Sequence, residues 1–227
     1  IILTALLGVV IERAAYRPLR DAPRISALIS AIGVSFLMAN LGLVIFGGRP
    51  KTFYRPPIFQ TPIELGGVRV VALFFVIPLL TAILLIALNY IVYKTKTGLA
   101  MRAAQWDFDT ARLMGVDVDR AISITFAIGS ALAAVGGIMW GLRFAEINPN
   151  MGLFPGLKCF IAAVFGGIGN ISGAVLGGFI LGFGEIMLVA FLPGLAGYRD
   201  AFAFVVLILI LLVRPTGLLG DKQRVKV

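Results

Sequence analysis

Two stretches hold the residues whose types and spacing could do chemistry. The first is Gly166-Gly167-Ile168-Gly169-Asn170-Ile171-Ser172-Gly173, a glycine-rich run of the kind whose backbone amides can cradle a phosphate. Its spacing fails that test. Gly167-x-Gly169 is followed by Ser172 rather than a third glycine, and no Lys-Ser or Lys-Thr pair closes the run, so nucleotide binding there is rejected. Asn170-Ile171-Ser172 also spells a glycosylation acceptor, but its place inside an apolar hairpin argues against modification. Two readings stay open for Gly166, Gly167, Gly169, Asn170, Ser172 and Gly173: a broken helix lining a solute route, or a hairpin whose glycines only allow close helix contact. Glu185 is the one carboxylate well inside an apolar run. Without a basic or second acidic partner nearby in the sequence it makes a poor proton relay, and it reads as a pathway or structural hydrogen-bonding group.

The second stretch is residues 94–120, KTKTGLAMRAAQWDFDTARLMGVDVDR, the longest polar interval of the chain. Phe108, Ala111 and Met114 recur every three residues, with Leu113 beside them, and predict one apolar helix face. Asp107 can cap the start, Asp109 and Arg112 stand three apart on the wet face, and Gly115 suits the position just past the end. Asp117 and Asp119 signal a second helix start. A helix of two turns is unstable alone, so its apolar face must be covered, by the protein's own bundle, by the lipid interface or by a cytoplasmic partner.

No catalytic constellation is present. The sequence has no histidine and one cysteine, Cys159, which excludes a disulfide framework and a cysteine metal cluster and reads as a small packing residue. It lacks a GxSxG run, and its acids are scattered over different loops, so the chain reads as a non-enzyme.

Composition sets the class. Hydrophobic residues make up 59% and charged residues 14%, with a mean hydropathy of +1.00, outside the soluble range of about 45–50% and about 25%. Only a multi-pass membrane protein fits. The net charge of +9 comes from Lys and Arg clustered at the ends of apolar runs, the pattern of loops on an anionic membrane face, and not that of a nucleic-acid binder.

Complete spans are expected at about 25–46, 70–93, 121–142, 173–191 and 198–213, with 1–11 as the end of another. The fold class is therefore an all-α polytopic membrane protein with about six spans, plus a short broken or re-entrant half-helix near 158–170. Residues 47–69 read as an irregular outer loop, and 143–157 as an outer turn set by Asn148-Pro149 and Phe154-Pro155-Gly156. Placing 12–24, 94–120 and 214–227 inside puts thirteen Lys and Arg there and seven outside, the bias of a cytoplasmic face. That orientation requires 158–170 to cross from outside to inside despite being short, which locates a glycine break at membrane depth.

Asp109-Thr110-Ala111-Arg112-Leu113-Met114-Gly115 resembles the Glu-Ala-Ala-x-x-x-Gly coupling loop of ATP-binding-cassette importer permeases, with Asp for Glu and Thr for the first Ala. Its surroundings strengthen the likeness: ERAAYRPLR at 12–20, ISALISAIG at 25–33, INPNMG at 147–152, FIAAVFGGIGNISGAVLGG at 160–178 and RPTGLLG at 214–220. Together these resemble the LivH-type permease subunit of bacterial branched-chain amino acid importers.

The resemblance implies a single permease domain over 1–227 in the bacterial inner membrane, preceded by an N-terminal part that the sequence does not contain. It also implies a second related permease subunit, two cytoplasmic ATPase subunits that hold the ATP and magnesium, and a periplasmic binding protein that delivers substrate. No cofactor is expected on this chain itself, and its surroundings are lipid. The loop around Asp109–Gly115 would dock on an ATPase, with Phe108, Ala111 and Met114 as anchors, while the broken hairpin would meet a zwitterionic amino acid. A permease for urea or a sugar, or an ion-driven secondary transporter, are the alternatives.

Overall fold

The computed structural model describes residues 1–19, 22–59, 61–65, 68–214 and 216–220. The chain divides into two compact units, Ile1–Asn150 and Met151–Val227.

The first unit begins with α1 (Ile2–Ile11), continued by a π-helical turn at Glu12–Tyr16 and a 3-10 turn at Arg17–Leu19. This segment packs along α6 (Val118–Phe144). Gly8 makes the approach possible, because a Cβ there would lie 2.0 Å from the Ser130 Oγ. Tyr16 and Phe126 pack with ring centroids 5.1 Å apart and planes inclined at 47°. Between them and Gly8, the fully buried Glu12 accepts a 2.7 Å hydrogen bond from the Ser123 hydroxyl.

Helix α2 (Arg24–Phe46) follows and ends at Gly47, whose φ of 79° turns the chain out. The outer loop is more ordered than its Pro and Gly content suggests. Strand β1 (Lys51–Thr52) pairs antiparallel with β4 (Glu146–Ile147), and β2 (Pro62–Leu65) pairs with β3 (Val68–Val71). Gly66 and Gly67 of this loop lie outside the described residues, as do Arg20 and the tail cations Lys222, Arg224 and Lys226.

Helix α3 (Leu73–Lys94) carries Pro78 and stops at Thr95, where an extended backbone reverses the chain into α4 (Lys96–Trp106). The Thr95 hydroxyl caps α4 by accepting from the Gly98 amide at 3.1 Å. Gly98 is required by the reversal itself: a Cβ would meet the Val92 and Ile91 carbonyl oxygens at 2.2 and 2.3 Å. The short α5 (Phe108–Leu113) then leads to α6. Helix α4 was not anticipated, although its residues are good helix formers behind a Thr cap.

The second unit is a hairpin of α7 (Leu153–Gly166) and α8 (Ile171–Phe191), a 3-10 segment Pro193–Tyr198, and α9 (Arg199–Val213), which packs on both helices. Phe154-Pro155-Gly156 forms the first turn of α7 instead of an outer turn. Proline fits there because its missing N–H has no helical acceptor and its φ is already helical.

Among the described residues, five helical segments are long and apolar enough to cross a membrane: Ile25–Phe46, Leu73–Lys94, Val118–Phe144, Ile171–Phe191 and Ala196–Val213. Helix α1 has 10 residues and α7 has 14, both short of the roughly 20 that a core of about 30 Å needs. The all-α polytopic class stands, and the five complete spans are those expected.

Gly98→Leu should disrupt the α3–α4 reversal, since backbone carbonyls must move to admit the side chain. The expected cost is about 1–3 kcal/mol, read as a melting temperature several degrees lower in detergent; an unchanged melting curve would contradict the packing described.

Candidate functional site

Each unit carries one candidate site. In the first, Asp107 caps α5 as its sequence position predicts, its carboxylate accepting from the Asp109 and Thr110 amides at 2.9 and 3.2 Å. The helix closes with two bonds, Val116 N to Ala111 O and Gly115 N to Arg112 O, both 3.0 Å. Gly115 has φ +80° and open space around its Cβ position, so only the backbone conformation demands glycine there. Arg112 lies 3.8 Å from Asp109 and 3.9 Å from Asp119, and Arg17 reaches Asp119 at 2.6 Å. These pairs are half exposed, worth about 0–1 kcal/mol each; they orient the loop rather than stabilise it.

The single apolar face predicted for Phe108, Ala111 and Met114 does not form. Ala111 is 4% exposed and packs with Ala104 and Val118, against Val116 and Ile122. Met114 lies beyond the last helical residue with ψ of 7°, because the six-residue α5 is too short to carry the spacing to a seventh. Leu113 and Met114 are 87% and 81% exposed, Trp106 is 85% exposed, and Phe108 is half exposed. The loop therefore turns Ala111 inward, as the protein's own cover, sets Phe108 at the edge of a groove beside Ala104 and Ala121, and presents Trp106, Leu113 and Met114 outward.

In the second unit the glycine run is a tight turn. Gly167 and Gly169 have φ of +110° and +94°. A Cβ on Gly166 would lie 2.0 Å from the Gly173 carbonyl oxygen, and one on Gly177 would lie 2.3 Å from that of Ala162. The Asn170 side chain caps α8 by accepting from the Gly173 amide at 3.0 Å and donates to the Leu219 carbonyl at 3.0 Å. The amides of Leu218 and Leu219 donate to the carbonyls of Phe165 and Gly166, both at 2.9 Å. Those two carbonyls are thus bonded by backbone. The break also lies level with residues 216–220, past the end of α9, and so at the end of that span rather than midway along it. Ser172 is exposed on the first turn of α8.

Glu185 departs most from expectation. Its carboxylate is 5% exposed, yet it accepts from Lys158 at 2.9 and 3.0 Å and from Arg199 Nε at 2.8 Å. Lys158 also reaches Asp200 at 2.8 Å. The acid read as partnerless is the centre of a neutral quartet drawn from α7, α8 and the start of α9. Sequence reasoning missed it because Lys158 stands 27 residues from Glu185, a distance only the hairpin closes. The Tyr198-Arg199-Asp200 run, charged residues opening an apolar helix, was the available signal. Glu12, buried against Ser123, was likewise passed over as part of a basic loop. Cys159 is exposed rather than packed. Among the described residues no group of His, Cys, Asp and Glu could hold a metal ion.

Long apolar helices joined by short loops, with charges paired inside them, define a multi-pass α-helical membrane protein. The chain belongs to the family described as branched-chain amino acid transport system / permease component, which it matches over residues 1–211. It is 40% identical over 232 residues to the high-affinity branched-chain amino acid transport system permease protein LivH of Escherichia coli K12, covering all of this chain and 74% of that one. It is 39% identical over 234 residues to the permease protein BraD of Pseudomonas aeruginosa, with the same coverage. A more distant relative, the autoinducer 2 import system permease protein LsrC of Yersinia pestis, is 29% identical over 194 residues, 82% of this chain and 53% of that one. No solved structure matches.

Substitutions at Gly115 and Glu185 test the turn and the ion pairing separately. Gly115→Val should cost about 1–2 kcal/mol through its left-handed backbone, and Gly115→Asn much less, measured as thermal stability in detergent. Glu185→Leu should cost about 1–3 kcal/mol by removing the buried acceptor that Arg199 and Lys158 share, so a variant as stable as the parent protein would refute the pairing.

Proposed function

We propose that this chain is the membrane-spanning permease subunit of an ATP-driven importer for branched-chain amino acids in a bacterial inner membrane. Identity of 40% along the whole chain to a permease of that name carries the reading. The weaker, partial likeness to an autoinducer 2 permease supports the same machine with different cargo less well. A second related permease subunit completes the translocation path, a periplasmic binding protein delivers the amino acid, and two cytoplasmic ATPase subunits bind the ATP and magnesium. This chain holds no cofactor.

The loop 94–120 is the coupling element. Trp106, Leu113 and Met114 are the anchors that enter the ATPase, with Phe108 at their edge, since they are the most exposed apolar side chains of the loop. Asp109 and Thr110 stand on the first turn, beside that surface. Ala111 and Gly115 act indirectly, by packing and by turning the chain. Because α4 and α5 pack on the start of α6, and α4 on the end of α3, a push on α5 is delivered to two spans at once.

The test is uptake of labelled leucine into liposomes holding the complete importer, with ATP and binding protein each supplied or withheld. Uptake that needs both, and that isoleucine and valine compete away, supports the reading; uptake driven by a proton gradient alone contradicts it. In the same assay Leu113→Glu and Met114→Glu should cut ATP-driven uptake about tenfold or more while the amount of inserted protein is unchanged. Ala111→Glu, which buries a carboxylate beside Ala104 and Val118, should instead lower the amount of folded protein.

A further inference from the structure

The quartet of Lys158, Glu185, Arg199 and Asp200 is placed unlike an ordinary structural ion pair. Glu185 lies six residues before the end of α8, and Lys158 five residues after the start of α7, or about 9 Å and about 7.5 Å along each helix. Glu185 itself is buried, but the side chains of Lys158, Arg199 and Asp200 are 34%, 47% and 52% exposed. Arg199 and Asp200 open α9, so the exposed rim of the quartet stands at a helix end, where charged side chains reach the aqueous interface rather than acyl chains. It lies at the end of α9 opposite residues 216–220, on the outer side if the basic tail is cytoplasmic.

The pairing has two layers. Glu185 holds both cations from the buried side, while Asp200 touches only Lys158, at the exposed rim, at 2.8 Å. Inserting a ligand between Lys158 and Asp200 strands a cation and an anion unless the ligand supplies both opposite charges. A neutral solute would leave both unpaired, and a singly charged one would leave one. A zwitterion alone re-satisfies the rim with no net change in charge: its carboxylate takes the Lys158 ammonium, and its ammonium takes the Asp200 carboxylate. Lys158 stays fixed to Glu185 throughout.

We propose that Lys158 and Asp200 form a binding site for the zwitterionic head of an α-amino acid, with Glu185 and Arg199 as the buried base that positions Lys158. This rests on the reading of the chain as an amino acid permease and gives that cargo a point of contact.

The experiment is equilibrium binding of labelled leucine to the assembled importer in nanodiscs, without binding protein. Leucinamide, which lacks the carboxylate, and 4-methylpentanoate, which lacks the ammonium, serve as competitors. For the parent protein both analogues should bind about tenfold or more weaker than leucine. Asp200→Asn should weaken leucine about tenfold or more and tighten 4-methylpentanoate, which no longer leaves a carboxylate stranded, and Asp200→Glu should restore part of the leucine loss. A purely structural role predicts that all three ligands shift together or that none does, and either result overturns the proposal. So does the absence of binding by any zwitterionic amino acid to the parent protein. If another amino acid binds with this pattern and leucine does not, the site stands and the branched-chain cargo falls. Should Asp200→Asn fail to assemble, the analogue series on the parent protein still decides, since equal binding of leucine and 4-methylpentanoate removes any need for Asp200.

Discussion

The second unit depends on a contact of backbone against backbone. Helices α7 and α8 approach so closely at Gly166, Gly173 and Gly177 that carbonyl oxygens occupy the space where side chains would begin. Such contact is how helices associate where no hydrophobic force separates lipid from protein. It also sets the register of the hairpin. With the glycine end fixed, Lys158 and Glu185 are carried to the same level at the other end, and α9 brings Arg199 and Asp200 to them. The turn is sealed by residues 216–220: the Leu218 and Leu219 amides satisfy backbone carbonyls freed by the break, and the Leu219 carbonyl accepts from the Asn170 side chain. A glycine-rich run that resembles a ligand loop is thus mainly a means of packing, and the charges it positions are where chemistry is available.

The first unit solves a related problem with other means. Its loop must hold a two-turn helix that cannot persist alone. The capping by Asp107, the Gly115 turn and the burial of Ala111 against Ala104 and Val118 supply what the helix lacks. The exposed ion pairs of Arg17, Arg112 and Asp119 add orientation. What remains outward is apolar and large, which is costly in water and is the signature of a surface meant to be covered. Gly98 and Thr95 fold α4 back against the end of α3, so the outward patch is tied to a span rather than hung from a flexible loop.

These two regions also show what a family resemblance does and does not convey. Similarity along the whole chain places it among the permeases. It does not say which side of a short helix faces its partner, nor that an apparently isolated acid has two cations within reach.

The sequence by itself determined the class, the five complete spans and their approximate ends, because twenty-residue apolar runs have few ways to exist outside a membrane. It also determined the local devices: Asp107 as a cap, Gly115 as the turn, the Asp109–Arg112 pair, and the glycine break after α7. Each of these is decided by residues within four or five positions of one another. Tertiary structure decided the rest. That Ala111 faces inward while Met114 faces out follows from where α4 and α6 lie. That Glu185 is paired follows from a hairpin closing 27 residues of chain, and that Glu12 is buried follows from α1 lying along α6. Partners far apart in sequence leave no periodic trace, since their distance is set by how helices pack and not by the order of residues along any one of them.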